Sequence, residues 1–267
     1  SERAWVVSDD GRFGSGQVLS GRACERLPPK ALEQGLSCGT PLNCGHVGRL
    51  GEWVERIARQ GLAGLMTVND NGVLQCVAPP GGIEPRISTN PLAIGVPAGD
   101  EPLVLDFSTS AVANGKIKVA HVAGTPCPPG WLQDASGNPT TDPAVRFSDP
   151  QGTLLPMGGE AQGYKGFGLG LLLDILVGGL SGGFCPPAPT GAPGTNNVLF
   201  IIGDPEHFAG LDHFLAEADK LTDYAKSPPL KPGVKSIRLP GERSAALAAE
   251  RRAEGIPLDG GTWQANA

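Results

Sequence analysis

The sequence lacks a long uninterrupted apolar run, a basic leader and an excess of positive charge. Its longest apolar stretch, residues 167–180, contains Asp174 and is shorter than the roughly 20 residues that a membrane-spanning helix needs. The N-terminus has no basic region followed by an apolar core, so no signal peptide is expected in the chain as given. These absences favour a cytoplasmic protein without a membrane partner.

The charge balance is acidic, because 21 Lys and Arg stand against 27 Asp and Glu, a formal net charge of −6. No basic field is left to bind phosphate backbones, which argues against nucleic acid as a partner. The six cysteines form no C-x-x-C pair, so no metal site is predicted. Free buried thiols are expected instead, since Cys is among the residue types most often buried.

Glycine and proline are abundant, at 40 and 26 of the 267 residues, yet the chain is predicted to fold. Hydrophobic residues make up 40% of it and charged residues only 18%, which a disordered polar chain does not show. The length allows one large domain or two ordinary ones.

Apolar periodicity predicts helices and strands that alternate along the chain, which is typical of an α/β or α+β fold. The helix predicted over 17–34 is short or broken, because Pro28 and Pro29 lie inside it. A second helix begins near Leu50, and a helix over 166–180 is apolar enough to be buried on every side. The predicted strands are 4–8, 62–69, 74–77, 92–96, 102–106 and 197–203.

Two further features describe the organisation of the chain. Residues 124–158 contain seven prolines, which indicates a long excursion that lines a site or a subunit contact and adds no core of its own. The last part of the chain has a purely helical pattern. We therefore predict an α/β domain over 1–204 and C-terminal helices over 205–267.

The sequence does not match the common enzyme motifs in full. The approaches to G-x-G-x-x-G at Gly14 and Gly166 lack the third glycine, so a standard Rossmann site is not expected. Ser181 lies in a G-x-S-x-G match, but it closes an apolar helix instead of following a strand. A hydrolase therefore becomes the favoured interpretation only if Ser181 reacts with an active-serine probe.

Four polar clusters lie where loops meet helices or strands. Each could have a purely structural role or a functional one. His46 and Arg49 precede a helix whose free N–H groups would attract an anion, although a lone histidine is more often a cap or a core residue. The hydroxyls after Asp106 could simply cap the next helix, and the glycines around Lys165 could form a turn. The residues alone indicate an anion-binding α/β enzyme of unknown class. The clusters are residues 43–50, 88–91, 106–116 and 163–168.

The order of these clusters resembles the malate/L-lactate dehydrogenase family of non-Rossmann fold, over nearly the whole chain. The matching stretches are Asn43…Gly45-His46…Gly48-Arg49, Ser88-Thr89-Asn90-Pro91-Leu92, Asp106-Phe107-Ser108-Thr109-Ser110…Gly115-Lys116, Gly163-Tyr164-Lys165-Gly166-Phe167-Gly168 and Leu239-Pro240-Gly241-Glu242. The resemblance implies an open mixed-sheet cofactor domain plus a helical segment built from both chain ends. It also implies a homodimer that uses NAD or NADP to transfer hydride between nicotinamide and a small 2-hydroxy or 2-oxo acid, or a cyclic 2-imino acid.

The resemblance assigns roles to individual residues. Lys116 would stand beside the reacting carbon as the catalytic candidate, and Thr89 would contact the substrate. The implied cofactor contacts are His46, Val47, Gly48, Arg49, Leu50, Phe107, Ser108, Thr109, Tyr164, Lys165, Gly166, Glu242 and Arg243.

Two departures from the family pattern stand out. The family's proton-transferring histidine lies in a Ser-His-Gly stretch ahead of the matched part, whereas no histidine precedes His46 here. Either the chain starts inside the family sequence, or it has lost the acid/base and is a non-catalytic dinucleotide-binding or assembly protein. The second departure, residues 160–162, would alter the cofactor pocket or merely extend a loop.

Overall fold

A six-stranded sheet forms the centre of the computed structural model, which describes residues 3–257. Within this sheet, the strands that contain Val6 and Leu36 run parallel to each other. The other neighbouring pairs are antiparallel. The predicted open mixed sheet of non-Rossmann type is therefore confirmed. In spatial order the strands are β1 (Val6–Val7), β2 (Leu36–Gly39), β9 (Asn197–Gly203), β3 (Ala63–Asn69), β4 (Leu92–Val96) and β5 (Leu103–Phe107).

Six α-helices accompany the sheet within the described residues, and two of them cover its opposite faces. They are α1 (Gly16–Gln34), α2 (Leu50–Ala58), α3 (Asn114–Val122), α4 (Gly159–Ser181), α5 (Leu211–Lys226) and α6 (Glu242–Glu254). In β3, Met66 and Val68 pack into one cluster with Trp53 of α2, whereas Asn69 bonds to Asp174 of α4. Because side chains alternate along a strand, α2 and α4 lie on opposite faces.

The main core lies between the sheet and the helices α1 and α2. The periodicity of the segment after Leu50 predicts this contact correctly, since Leu50, Trp53, Val54 and Ile57 are all buried. The indole N–H of Trp53 donates to the carbonyl of Val47 at 3.0 Å, which satisfies the one polar atom of that side chain.

Helix α1 runs unbroken from Gly16 to Gln34, so the prediction of a break at Pro28 and Pro29 is wrong. Each proline removes one backbone donor and costs about 3 kcal/mol inside a helix. Leu27 and Ala31 on the same helix are fully buried in the main core. Burying such apolar side chains offsets the cost and keeps the helix continuous.

The excursion over 124–158 shares a second, smaller core with residues 76–117, so it adds no core of its own but does contribute to one. Three short strands pair in the order β7 (Pro139–Thr140), β6 (Leu132–Gln133) and β8 (Thr153–Leu154). The strand predicted over 74–77 is absent from the described structure, where Val77 makes only isolated bridges. Its apolar run reflects burial in the second core and not pairing in the main sheet. This core consists of Cys76, Val77, Ile87, Val112, Ile117, Cys127, Leu132 and Leu154.

Helix α4 buries one side against the sheet and exposes the other, so the prediction of burial on every side is wrong for this chain alone. The exposed side carries large apolar residues that are 41–60% accessible, namely Leu171, Leu172, Ile175, Leu176 and Leu180. Among the described residues, Gly159–Ser181 is the one helix long and apolar enough to cross a membrane by length and composition. Its buried Asp174, bonded to two asparagines, is typical of a core helix instead.

The C-terminal helices α5 and α6 follow β9 and contain no buried residue in the described part of the chain. They confirm the helical pattern expected there, while residues 258–267 of the predicted segment lie outside the described structure. The placement of a domain boundary near residue 204 stays a prediction.

The cysteines behave as expected for buried thiols. All six are free, and Cys24, Cys44, Cys76 and Cys127 are buried. Burial raises the pKa of Cys24 to about 12 and that of Cys76 to about 11, so these thiols stay protonated.

Asp70 makes the stability of the fold depend on pH. Both of its carboxyl oxygens are buried, and this burial raises its pKa from 3.8 to about 6, although the backbone N–H of Leu74 acts in the opposite direction. The folded state therefore holds this proton more tightly, and the stability it contributes is lost as pH rises from about 4 to about 6. The loss amounts to about 3 kcal/mol at most.

Replacing this carboxyl should remove that pH dependence. We expect Asp70→Asn to raise the free energy of unfolding at pH 7.5 and to change it little at pH 4, as measured by urea denaturation. Asp134→Asn is the matched control. Hydrogen bonds, first that from the backbone N–H of Asn138, lower the pKa of this exposed carboxyl, so the pH dependence that it contributes to stability has the opposite sign. An unchanged urea midpoint at pH 7.5 for Asp70→Asn would contradict the assignment.

Candidate active site

A cleft of about 860 Å³ opens where the start of α2 meets the turn 88–91 and the segment 106–116. The structure brings together in it eight of the residues predicted from the sequence. They are His46, Gly48, Arg49, Leu50, Thr89, Phe107, Ser108 and Lys116.

The start of α2 forms one wall of this cleft. Gly48 has a φ of +77°, a left-handed conformation that suits glycine at the turn into the helix. The N–H of Gly51 donates to the Asp106 carboxylate at 2.7 Å, so a carboxylate of the chain itself already occupies part of the helix N-terminus. The expectation of a pyrophosphate on free N–H groups at this point therefore needs revision.

Arg49 is the arginine that lines this wall. Its guanidinium lies 3.8 Å from a carboxylate oxygen of Asp106 and 3.8 Å from one of Glu55, and the side chain is 45% exposed. Such long, half-solvated ion pairs hold a guanidinium only weakly. Arg49 is thus free to form a bidentate contact with a phosphate or carboxylate.

The hydroxyls after β5 form a network of their own. Both the N–H and the Oγ1 of Thr109 donate to the Thr89 carbonyl at 3.0 Å, and Ser110 donates to the Val112 carbonyl at 2.6 Å. The interpretation of these hydroxyls as caps of the next helix is wrong, because α3 has no side-chain cap. Thr109 is buried outside the cleft lining and supports the Thr89 turn.

The charged groups facing the cleft favour an anion. Lys116 lies in the first turn of α3 and is exposed, and Arg49 lines the same cleft. Asp106 is the one carboxylate lining this space among the described residues. Two cations against one carboxylate give a local positive potential that attracts anionic ligands.

Three predicted cofactor contacts lie on α4 and do not line the cleft. Residues 163–166 are helical, so the interpretation as a turn is wrong. Tyr164 and Lys165 are exposed, with the Lys165 ammonium 5.8 Å from the centre of the Tyr164 ring. Gly166 is needed for close packing, since a Cβ there would lie 2.5 Å from the Met157 backbone.

The remaining predicted contacts also fall outside the first cleft. Val47 is buried, and its carbonyl accepts the Trp53 hydrogen bond. Glu242 lines a neighbouring cleft of about 380 Å³ that shares Arg49 with the first. The carboxylate of Glu242 pairs with Lys226, which lowers its pKa, and Arg243 is exposed on α6 outside both clefts as the described residues define them.

The histidines show which groups could move a proton. His46 is exposed and, among the described residues, is the one histidine lining the cleft, so it is neither a core nor a capping residue. His121 stacks on Phe147 with ring centres 4.4 Å apart, and His207 pairs with Asp204 at 3.0 Å. Within the described part of the chain, His46 and Lys116 line the cleft together with Arg49.

Two other expectations are settled by the geometry. Residues 160–162 form the first turn of α4, so they neither extend a loop nor line the first cleft. The Ser181 hydroxyl is buried at the end of α4, where it donates to the Gly178 carbonyl at 3.4 Å and accepts from the Gly183 N–H at 3.3 Å. That capping position does not fit a catalytic nucleophile.

The chain is similar to several dehydrogenases. It is 37% identical over 269 residues to hydroxycarboxylate dehydrogenase B of Escherichia coli, and the match covers 99% of the chain and 73% of that relative. It is also 37% identical over 251 residues to an L-lactate dehydrogenase of Cupriavidus necator, covering 92% of the chain and 70% of the relative.

The fold has a close counterpart among solved structures. The malate dehydrogenase of Pyrococcus horikoshii superposes with a TM-score of 0.82 at 30% identity, covering 97% of the chain and 71% of that structure. The family model for malate/L-lactate dehydrogenase matches residues 1–265. These matches confirm the resemblance inferred from the motifs, and the chain belongs to the malate/L-lactate dehydrogenase family.

Proposed function

We propose that the chain is an NAD(P)-dependent oxidoreductase that transfers hydride between nicotinamide and a small 2-hydroxy or 2-oxo acid. The observation that carries the proposal is the cleft in which Arg49, Thr89 and Lys116 meet. Its two cations suit anionic ligands such as a dinucleotide and a small acid. The relatives from E. coli and C. necator are named as a hydroxycarboxylate and an L-lactate dehydrogenase, which supports the same substrate class.

The residues present fit a dinucleotide. Arg49 lines both clefts, and α6 borders both, since Ser244 faces the first and Glu242 the second. A dinucleotide has two nucleoside ends joined by a pyrophosphate, so Arg49 would hold the pyrophosphate between the clefts. Ser108 and His46 would bind the nicotinamide half. The bound cofactor would carry the hydride to or from C2 of the acid.

The chain's own groups would orient the acid and handle its proton. Lys116 would donate a hydrogen bond to the C2 oxygen and stabilise the negative charge that develops there during reduction. Thr89 would contact the substrate from the floor of the cleft. His46 and Lys116 are the described groups that could deliver the proton to that oxygen.

The proposed function is tested by measuring binding and turnover on the same sample. NADH and NADPH binding is followed by fluorescence, and oxidation of either is followed with a panel of 2-oxo acids. We expect binding together with turnover. Binding without turnover would favour the alternative, a non-catalytic dinucleotide-binding protein, and the absence of any binding would contradict both.

Lys116 should be required for turnover but not for cofactor binding. We expect Lys116→Met to lower kcat roughly 100-fold or more, because an oxygen that gains charge loses its donor. Lys118→Met on the same helix is the matched control, since Lys118 is exposed and does not line the cleft. A kcat for Lys116→Met within about twofold of the wild type would rule Lys116 out of the chemistry.

We propose, in addition, that the chain forms the homodimer implied by the family resemblance, with the exposed side of α4 facing a second copy. A contiguous apolar side of this kind is costly to leave in water. We expect Leu172→Glu to shift the species measured by light scattering towards the monomer. Leu221→Glu, at a 65% exposed position on α5, is the control and should leave the mass unchanged. A dimer that persists in Leu172→Glu would contradict the assignment.

A further inference from the structure

The turn that forms the floor of the cleft presents alternate residues to the ligand. Thr89 and Pro91 line the cleft, whereas Asn90 between them is 1% exposed and directs its side chain into the protein. Asn90 therefore touches neither substrate nor cofactor in the proposed function. Its influence on the site passes through the backbone it shares with Thr89.

The backbone of Asn90 is strained. Its φ is +30°, on the left-handed side that L residues rarely adopt. The following proline disfavours this conformation further, since residues before proline prefer extended backbone. Such outliers persist only where surrounding contacts enforce them, and they cluster at ligand-binding sites.

Side-chain contacts with α4 enforce this conformation. The Asn90 amide Nδ2 donates to the Asp174 carboxylate at 2.8 Å and to the Gly170 carbonyl at 3.0 Å. Two acceptors around one nitrogen fix the orientation of the amide. The Oδ1 of Asn90 is buried without a hydrogen-bond partner among the described residues. Burying this unpaired oxygen costs free energy, which the two hydrogen bonds of Nδ2 must offset.

The neighbours of Asn90 are held through their carbonyls. The Thr89 carbonyl accepts two hydrogen bonds from Thr109, and the Pro91 carbonyl accepts one from Thr67 at 2.9 Å. These bonds fix the two ends of the turn. The amide of Asn90 fixes the centre of the turn, next to Thr89.

We infer that Asn90 is a positioning residue, which sets the Thr89 side chain on the floor of the cleft by anchoring the turn to α4. The inference rests on the proposed function for the role of Thr89 as a substrate contact. It predicts that loss of the anchor weakens substrate binding selectively. Cofactor binding, which uses other walls of the cleft, should be unaffected.

The test is Asn90→Gly, because glycine adopts the same φ without strain and lacks the amide anchor. On the purified chain, fluorescence gives the Kd of NADH and then the Kd of oxamate, a 2-oxo-acid analogue, for the NADH complex. We expect the oxamate Kd to rise roughly tenfold or more, with the NADH Kd unchanged within about twofold. Where turnover is measurable, KM for the 2-oxo acid should rise in parallel.

Asn71→Gly is the matched control. Asn71 has a φ of +60°, is 2% exposed and donates to the Pro193 carbonyl at 3.1 Å, but it does not line the cleft. Its replacement should lower the melting temperature and leave the oxamate Kd unchanged. In a Thr89→Ala background, Asn90→Gly should add little further loss, since the anchored side chain is already gone.

The outcomes separate the two claims. If Asn90→Gly shows no cooperative unfolding transition, Asn90→Ser replaces it with the same expected separation between NADH and oxamate. An oxamate Kd unchanged in a folded variant overturns the inference and leaves the proposed function intact. Failure of the wild-type chain to bind NADH overturns the proposed function and this inference with it.

Discussion

The buried carboxylate of Asp174 is the interaction on which the arrangement of the site depends. Asp174 is 1% exposed, and its two oxygens accept hydrogen bonds from Asn69 at the end of β3 and from Asn90 in the cleft floor, each at 2.8 Å. Burial raises its pKa, because charge is costly away from water, and both amides offset that cost. One carboxylate thereby fixes a helix, a strand and a turn relative to each other.

The network extends across the sheet through further asparagines. Asn197 at the start of β9 donates to the side-chain oxygens of Asn69 and Asn71, at 3.1 and 3.0 Å. Buried polar networks of this kind favour a single arrangement, since other arrangements would leave more polar atoms buried without partners. Helix α4 therefore couples two surfaces, because its inner side anchors the cleft floor and its outer side carries the apolar residues assigned to a second copy.

The spacing of apolar residues predicted correctly those elements whose structure follows from their own sequence. It failed where contacts with distant parts of the chain determine the structure. The spacing of Leu50, Trp53 and Ile57 predicts α2 correctly, because one helix face meets the core. The same reasoning predicted a break in α1 at two prolines. The helix is continuous, because burial of its apolar side chains outweighs the cost of the prolines. It also missed the second core, since the apolar run at 74–77 pairs with no neighbour in the main sheet.

The site was also predictable only in part, because some of its residues act through contacts with distant parts of the chain. Motif order identified residues such as Arg49 and Lys116 that line one cleft, but it could not separate them from supporting neighbours such as Thr109. Asp106 and Asn90 lay inside the quoted motifs, yet their roles depend on partners 55 and 84 positions away in the chain. No local signal marks such pairs.

A crystal structure of the chain soaked with NADH would test the central claim most directly. The account predicts the dinucleotide in the cleft of about 860 Å³, with its pyrophosphate on Arg49 and its nicotinamide beside Ser108 and His46. NADH bound at another surface, or an empty cleft at saturating NADH, would contradict it.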